Sequence, residues 1–205
     1  GPIDARQVSE EKARQGISGR YFLYVGGLQF NKNVPAIIEA FRRVAGSDRD
    51  VQLVMAGEHR FWPRQRRRLA EQIARCGLQQ RIVFTGQLSP GRLKPLYAGA
   101  VALVHPALYE GFGFTPLEAM ACGCPVIVSN VSAIPEVVGD AGMYVNPADP
   151  AEIAHAMALL LSSPEQRIRL IETGRMRSGR FTWRDCAWAV KSLYEKLSAE
   201  DRVTY

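Results

Sequence analysis

The sequence predicts an α/β domain built on a doubly wound parallel sheet of about six strands, with helices on both faces. Three observations predict it. Short apolar runs recur along the chain, each stopped by glycine, proline or a small polar residue. Stretches with helical spacing of apolar residues separate them. Within the runs, consecutive rather than alternate positions are apolar, which is how a strand buried on both faces reads. Strands alternating with helices fold as right-handed crossovers around a parallel sheet.

The elements follow in order. Residues 3–19 are polar and interrupted, with one short helix over 9–14, and 1–19 reads as a linker or N-terminal tail ahead of one domain over 20–200. The apolar, aromatic run 21–25 is the first strand and ends at Gly26-Gly27. A helix over 34–44 follows, with Asn33 as N-cap and Ile37, Ile38, Phe41 and Val44 on one face. Residues 51–55 form the second strand, ending at Ala56-Gly57, and a basic helix runs from Pro63 to Cys76 with Gly77 as its stop. The third strand, 81–85, ends at Gly86 and leads to a short helix over 91–97. The fourth, 101–105, ends at Pro106 and leads through a glycine-rich loop to a helix with Thr115 as N-cap and Pro116 at its first position. Strands over 125–129 and 142–145 complete the sheet, and helices over about 150–162, 164–176 and 183–198 close the chain. Thr182 caps the last of these, where Trp183, Trp188 and Tyr194 read as packing residues.

Composition narrows the class. At 205 residues, 47% hydrophobic and 22% charged, the chain suits one globular domain with a sizeable core. No apolar run approaches the length of a membrane span, and no signal peptide is expected. Cys76, Cys122, Cys124 and Cys186 form no Cys-x-x-Cys, and no histidine pair has zinc spacing. All four read as reduced, mostly buried thiols in a cytoplasmic protein, with no metal site. The net charge of +6 is densest over 59–68, where Arg64, Arg67 and Arg68 fall near one helix face. A solvated face and peripheral contact with anionic lipid, aided by Phe61 and Trp62, are both open. Nucleic acid is not expected, because no reading motif or repeated basic stripe is present.

Ligands of doubly wound sheets sit at the carboxyl ends of the strands, near the topological switch. Gly26-Gly27, Gly57, Gly86 and residues 110–115 all fall at such ends. The segment 109–121 carries most information. Glu110 and Glu118 stand eight residues apart, with a glycine loop and a helix start between them. Gly111 and Gly113 let backbone N–H groups approach a ligand, and a helix N-terminus behind them attracts anions. A carboxylate on either side suits the hydroxyls of a phosphorylated ligand such as a sugar nucleotide. Thr115-x-x-Glu118 is equally a capping box, with Glu110 a solvated loop charge, and spacing alone leaves both readings open. Lys32, just before the first helix, reads as a phosphate-binding point charge or an exposed loop lysine. Gly-x-Gly-x-x-Gly is absent after the first strand, which disfavours a dehydrogenase. His59 reads as structural or solvated, and His105 as lining a pocket without a catalytic part.

Glu-x7-Glu within Glu-Gly-Phe-Gly-Phe-Thr-Pro-Leu-Glu-Ala-Met-Ala, followed by Gly123-Cys124-Pro125-Val126-Ile127, resembles the family 4 glycosyltransferases. These are retaining, sugar-nucleotide-dependent enzymes of the GT-B fold, built from two Rossmann-like domains. The similarity spans about 21–197 and matches only the C-terminal, donor-binding half, so the acceptor domain is expected to be absent from this chain. The resemblance implies that Glu118 holds the ribose hydroxyls. It places Glu110 beside the transferred sugar, acting by positioning and electrostatics rather than nucleophilic attack. It gives the sugar and distal phosphate to the N–H groups of Gly111, Phe112, Gly113, Phe114 and Thr115, and the base and ribose to Gly57, Gly86 and Leu88. It assigns the diphosphate to the Gly26-Gly27 loop and Lys32. The family pairs Gly-Arg-Leu with a lysine five residues after the arginine; Lys32 matches the lysine, and Gly27 stands where the arginine would be.

The function implied is transfer of a hexose from a GDP- or UDP-linked donor to a glycan or lipid-linked acceptor in surface polysaccharide or lipopolysaccharide synthesis. Residues 109–113 and 132–141 are similar to members that use GDP-mannose. No cofactor or metal is implied. Location is cytoplasmic, with peripheral contact at the inner face of the membrane as an option. The isolated domain is expected to bind donor and transfer little. Alternatives are a GT-B sugar-nucleotide epimerase, which lacks the Glu-x7-Glu frame, and a non-catalytic nucleotide-sugar-binding module. A glycosidase is not expected, because nothing sets Glu110 and Glu118 as an acid–base pair across a bond.

Overall fold

The computed structural model describes residues 3–58 and 63–200, with side chains as far as Ser198 at the C-terminal end. His59, Phe61 and Trp62 lie outside the described residues.

The expected sheet is present. Its strands are β1 (Tyr21–Val25), β2 (Gln52–Ala56), β3 (Ile82–Gly86), β4 (Ala102–His105), β5 (Val126–Ser129) and β6 (Met143–Val145). They run in the order β3-β2-β1-β4-β5-β6, and every pairing is parallel. Leu23 of β1 faces Val54 on one side and Leu103 on the other. Alternate residues of β1 enter opposite cores, as the pleat requires. Phe22 and Tyr24 join Ile37, Phe41, Leu53 and Met157, whereas Tyr21 and Leu23 join Leu96, Met120, Val126 and Ile134. Both faces of the sheet are therefore covered, which is why the strands read as continuous apolar runs.

The helices are α1 (Ala5–Gln15), α2 (Val34–Ser47), α3 (Pro63–Arg75), α4 (Pro90–Gly99), α5 (Phe114–Ala121), α6 (Ile134–Val138), α7 (Pro150–Ser162), α8 (Pro164–Ser178) and α9 (Trp183–Glu200). A single 3-10 turn, Phe30–Lys32, precedes α2. The first helix is longer than the expected 9–14. Asp4 caps it: its carboxylate accepts from Gln7 N at 2.8 Å while the Gln7 side chain accepts from Asp4 N at 3.0 Å. Its buried Glu11 accepts from Arg92 of α4 at 2.9 Å and from Gln15 at 2.7 Å. Much of the expected tail is thus a helix docked on α4.

Other differences are local. The five-residue α6 has no extended apolar stripe to announce it. Of the four cysteines only Cys124 is buried; Cys76 and Cys122 are half-buried and Cys186 is exposed on α9. On α9 Thr182 caps as expected, accepting from Asp185 N at 3.0 Å. The packing expected of this helix is confined to its first turn, where Trp183 meets Phe114; Trp183, Trp188 and Tyr194 are otherwise 79%, 59% and 67% exposed. On α3, Arg64 and Arg68 are exposed and Arg67 is paired with Glu71 at 3.0 Å.

Candidate functional site

In this strand order the chain leaves β1 toward β2 on one side and resumes at β4 on the other. The loops after β1 and β4 therefore meet over the middle of the sheet, at the switch point. Two asparagines, Asn31 and Asn33, clasp them. Leu108 N donates to Asn31 O at 2.8 Å, and Asn31 Nδ2 donates to Tyr109 O at 3.1 Å. Asn33 Nδ2 donates to Pro106 O at 3.1 Å and Pro147 O at 2.7 Å. Asn33 occupies the N-cap position of α2, but in the left-handed region at φ 55°, with no side-chain capping bond. Its amide ties loops together instead of capping the helix.

The clasp brings Lys32 and Glu110 together. Lys32 Nζ lies 2.6 Å from Glu110 Oε2, and the side chains are 18% and 19% exposed. His105 Nε2, on a side chain buried at the end of β4, lies 3.1 Å from the same oxygen. The His105 hydrogen bond, joined by Lys32, outweighs the desolvation of Glu110 and holds its pKa at about 2. Ionised Glu110 can only accept, so the proton of this bond sits on His105 Nε2. Beside them the buried Tyr24 hydroxyl donates to Gly27 O; burial, reinforced by the charge of Glu110, pushes the phenol pKa up.

A depressed carboxyl pKa has a definite sign for stability. The contribution of Glu110 is complete above its ordinary value of 4.5 and is lost as pH falls toward about 2. Thermal melts at pH 5.5 and pH 3 are therefore expected to show a larger fall in Tm for the wild type than for Glu110→Gln. Equal falls would mean that the cluster adds no net stability.

The glycine loop differs in detail from expectation. Gly113, at φ 105°, is the N-cap of α5, so Phe114 begins the helix and Thr115 and Pro116 are its second and third residues. No side chain caps this end, and the Thr115–Glu118 capping box does not form. Glu118 is exposed on α5, where Tyr97 of α4 donates to its Oε2 at 3.3 Å. It is not hydrogen-bonded into the Lys32–Glu110 cluster. Gly111 has no heavy atom within 4 Å of an added Cβ, which leaves its backbone open to approach.

At the ends of β1, β2 and β3, Gly26 N donates to Ala56 O and Gly57 N to Gly86 O, each at 2.9 Å. Gly57 and Gly86 line a cavity of about 750 Å³ under α3, with Leu28, Arg66 and Phe84 among its walls. Leu88, expected beside them, packs against the core on the opposite face of the sheet. Among the described residues no cluster of three His, Cys, Asp or Glu side chains is placed to hold a metal ion.

Sequence reasoning undervalued His105, whose one signal is its place at a strand end, five residues before Glu110. It also missed an aromatic seam. Phe112 and Phe114 are 4.6 Å apart, Phe114 stacks on Trp183 at 6.3 Å, and Phe112 meets Phe181 edge-on at 6.1 Å. The first turn of α9 thus lies against the glycine loop.

A parallel sheet whose switch-point loops gather a lysine, an ionised carboxylate and a glycine-opened helix defines an α/β domain suited to phosphorylated ligands. Residues 7–177 match the family model of the glycosyl transferases group 1, and the chain belongs to that family. It is 32% identical over 178 residues to the O-antigen chain mannosyltransferase B of Escherichia coli, covering 86% of this chain and 46% of that protein. It is 38% identical over 131 residues to the MMP alpha-(1->4)-mannosyltransferase of Mycolicibacterium hassiacum, covering 62% of this chain and 32% of the relative. The chain thus spans less than half the length of these curated relatives. Among solved structures, the C-terminal domain of a glycosyl transferase group 1 family protein from Francisella tularensis superposes with a TM-score of 0.75 at 27% identity, over 87% of this chain and 93% of that one. Sucrose-phosphate synthase from Thermosynechococcus elongatus gives 0.82 at 28% identity, over 97% of this chain and 50% of that one. The fold is the C-terminal half of GT-B.

Proposed function

We propose that this chain is the donor-binding domain of a retaining glycosyltransferase. It would take a hexose, with mannose favoured, from a GDP- or UDP-linked donor for transfer to a glycan or lipid-linked acceptor in surface polysaccharide synthesis. The observation that carries this reading is the Lys32–Glu110–His105 cluster at the switch point, next to a helix N-terminus without a side-chain cap. Lys32 supplies a cation for the diphosphate, and the N–H groups of residues 111–115 take the distal phosphate. Together they neutralise the charge of the departing nucleoside diphosphate without a metal. Glu110 stays ionised beside the sugar and stabilises positive charge at the anomeric carbon. A carboxylate with a pKa of about 2 and two donors on one oxygen is a weak nucleophile, so electrostatic support suits it better than covalent attack. The names of the two mannosyltransferase relatives support the choice of sugar. No described helix is long and apolar enough to cross a membrane. We place the activity in the cytoplasm, with peripheral contact at the inner face of the membrane and the acceptor site on a further domain.

Calorimetric titration with GDP and with UDP, in the absence of metal, tests the reading. Saturable binding of one, GDP being favoured, is expected; binding of neither at millimolar concentration would overturn it. Glu118→Ala separates ribose contact from a structural part. Because Glu118 caps nothing and its contact is the weak 3.3 Å bond from the buried Tyr97 hydroxyl, the variant should lose about tenfold or more in nucleotide affinity with no more than about 1 kcal/mol of stability. Intact binding with a stability loss of about 1 kcal/mol would return Glu118 to a structural role.

A further inference from the structure

We propose that His105 is a positioning residue: it holds the Glu110 carboxylate in place for the transferred sugar when Lys32 leaves that carboxylate for the diphosphate. The inference rests on the reading of Glu110 and Lys32 given above.

Glu110 Oε2 has two donors of opposite character. Lys32 Nζ sits at the end of a flexible four-carbon stem, partly exposed, on the last residue of a single 3-10 turn. His105 is 1% exposed, and its backbone is the last residue of β4, a central strand paired with β1 and β5. Lys32 can move and His105 cannot. The Tyr24 hydroxyl, which feels the charge of Glu110, is committed to Gly27 O. A diphosphate is a stronger anion than one carboxylate, so it draws Lys32 away from Glu110. Glu110 lies in the loop after β4, outside any helix or strand, and with Lys32 gone it would be free to turn. The His105 bond keeps Oε2 anchored, and Oε1 remains for a sugar hydroxyl. His105 thus acts through Glu110 without touching substrate.

The test compares calorimetric affinities for GDP and GDP-mannose, with UDP and UDP-glucose as a second pair, in four proteins. These are wild type, His105→Phe, His105→Gln and Lys32→Ala. Phenylalanine fills the ring volume without a donor, and the glutamine amide can restore one. The wild type should bind the sugar nucleotide more tightly than the diphosphate. In His105→Phe, GDP affinity should stay within about twofold while the sugar advantage falls about tenfold, and His105→Gln should recover it. Lys32→Ala should weaken both ligands and keep their ratio. A folded His105→Phe that retains the sugar advantage overturns the inference. If that variant does not fold, Lys32→Ala decides: a ratio kept supports the inference, and a ratio lost overturns it. Equal wild-type affinity for GDP and GDP-mannose overturns this inference alone. Absence of binding by any nucleotide overturns the proposed function and this inference with it.

Discussion

Lys32→Ala should reduce affinity for a nucleoside diphosphate by about 10- to 100-fold, the range of one charge-assisted hydrogen bond. No other lysine or arginine occurs between Gly26 and Asn33, since Gly27 stands where a second cation would be expected. Loss of Lys32 therefore leaves this loop without a cation for the diphosphate. The lysine must first leave Glu110, but a partly solvated ion pair is worth only about 1 kcal/mol or less, too little to cancel the new contact. Stability should change little, because Glu110 keeps His105. The salt dependence of binding should also flatten, since one phosphate-directed charge has gone. Titration of both proteins at two ionic strengths checks all three statements. An unchanged affinity would remove Lys32 from the site.

Gly57→Ala, just past the end of β2, should be strongly damaging, with a cost of about 3 kcal/mol or more and a fall in Tm of roughly 6–12 °C. Two effects add. Gly57 sits at φ 140°, which L residues rarely adopt. A Cβ there would lie 2.2 Å from Gly26 O. That carbonyl is main chain in the loop leading to Lys32, and Gly26 is itself bonded to Ala56 O, so it cannot swing aside. Relief would have to separate the ends of β1 and β2. Gly86→Ala is the control: it has a positive φ of 69° but nothing within 4 Å of its Cβ, so about 1 kcal/mol of backbone strain is expected. Similar melting curves for the two variants would show that the close approach is not rigid.

The strands were legible because parallel strands buried on both faces must be apolar at every position, and runs such as 21–25 and 102–104 are. The helix start at Thr115 was misplaced for a local reason. A side-chain cap is a sequence signal, whereas Gly113 caps by backbone conformation, which its neighbours do not reveal. Glu110, Lys32 and the glycine loop were legible as components. Their pairing was not, because Lys32 and Glu110 are 78 residues apart and meet only through the strand order. His105 is hidden for a different reason: it stands only five residues before Glu110, but the course of the loop after β4, which turns that carboxylate back onto the ring, leaves no trace in composition. On α9, aromatic residues at helical spacing suggested a buried face, but spacing states only that a face exists and not what covers it.

The strand order also dictates when this protein acquires its site during synthesis. The first three strands make one half of the sheet from chain that is local in sequence, and that half holds Lys32 but no carboxylate for it. The Asn31 and Asn33 clasp, Glu110 and His105 all wait for β4 to insert beside β1. Such a long loop closure is slow, and until it happens one side of β1 is an open edge of Tyr21, Phe22 and Leu23. A ribosome-bound chain should thus pass from no site to a whole one in a single step once β4 has emerged. Any pause in translation shortly before residue 102 would leave that edge exposed to self-association.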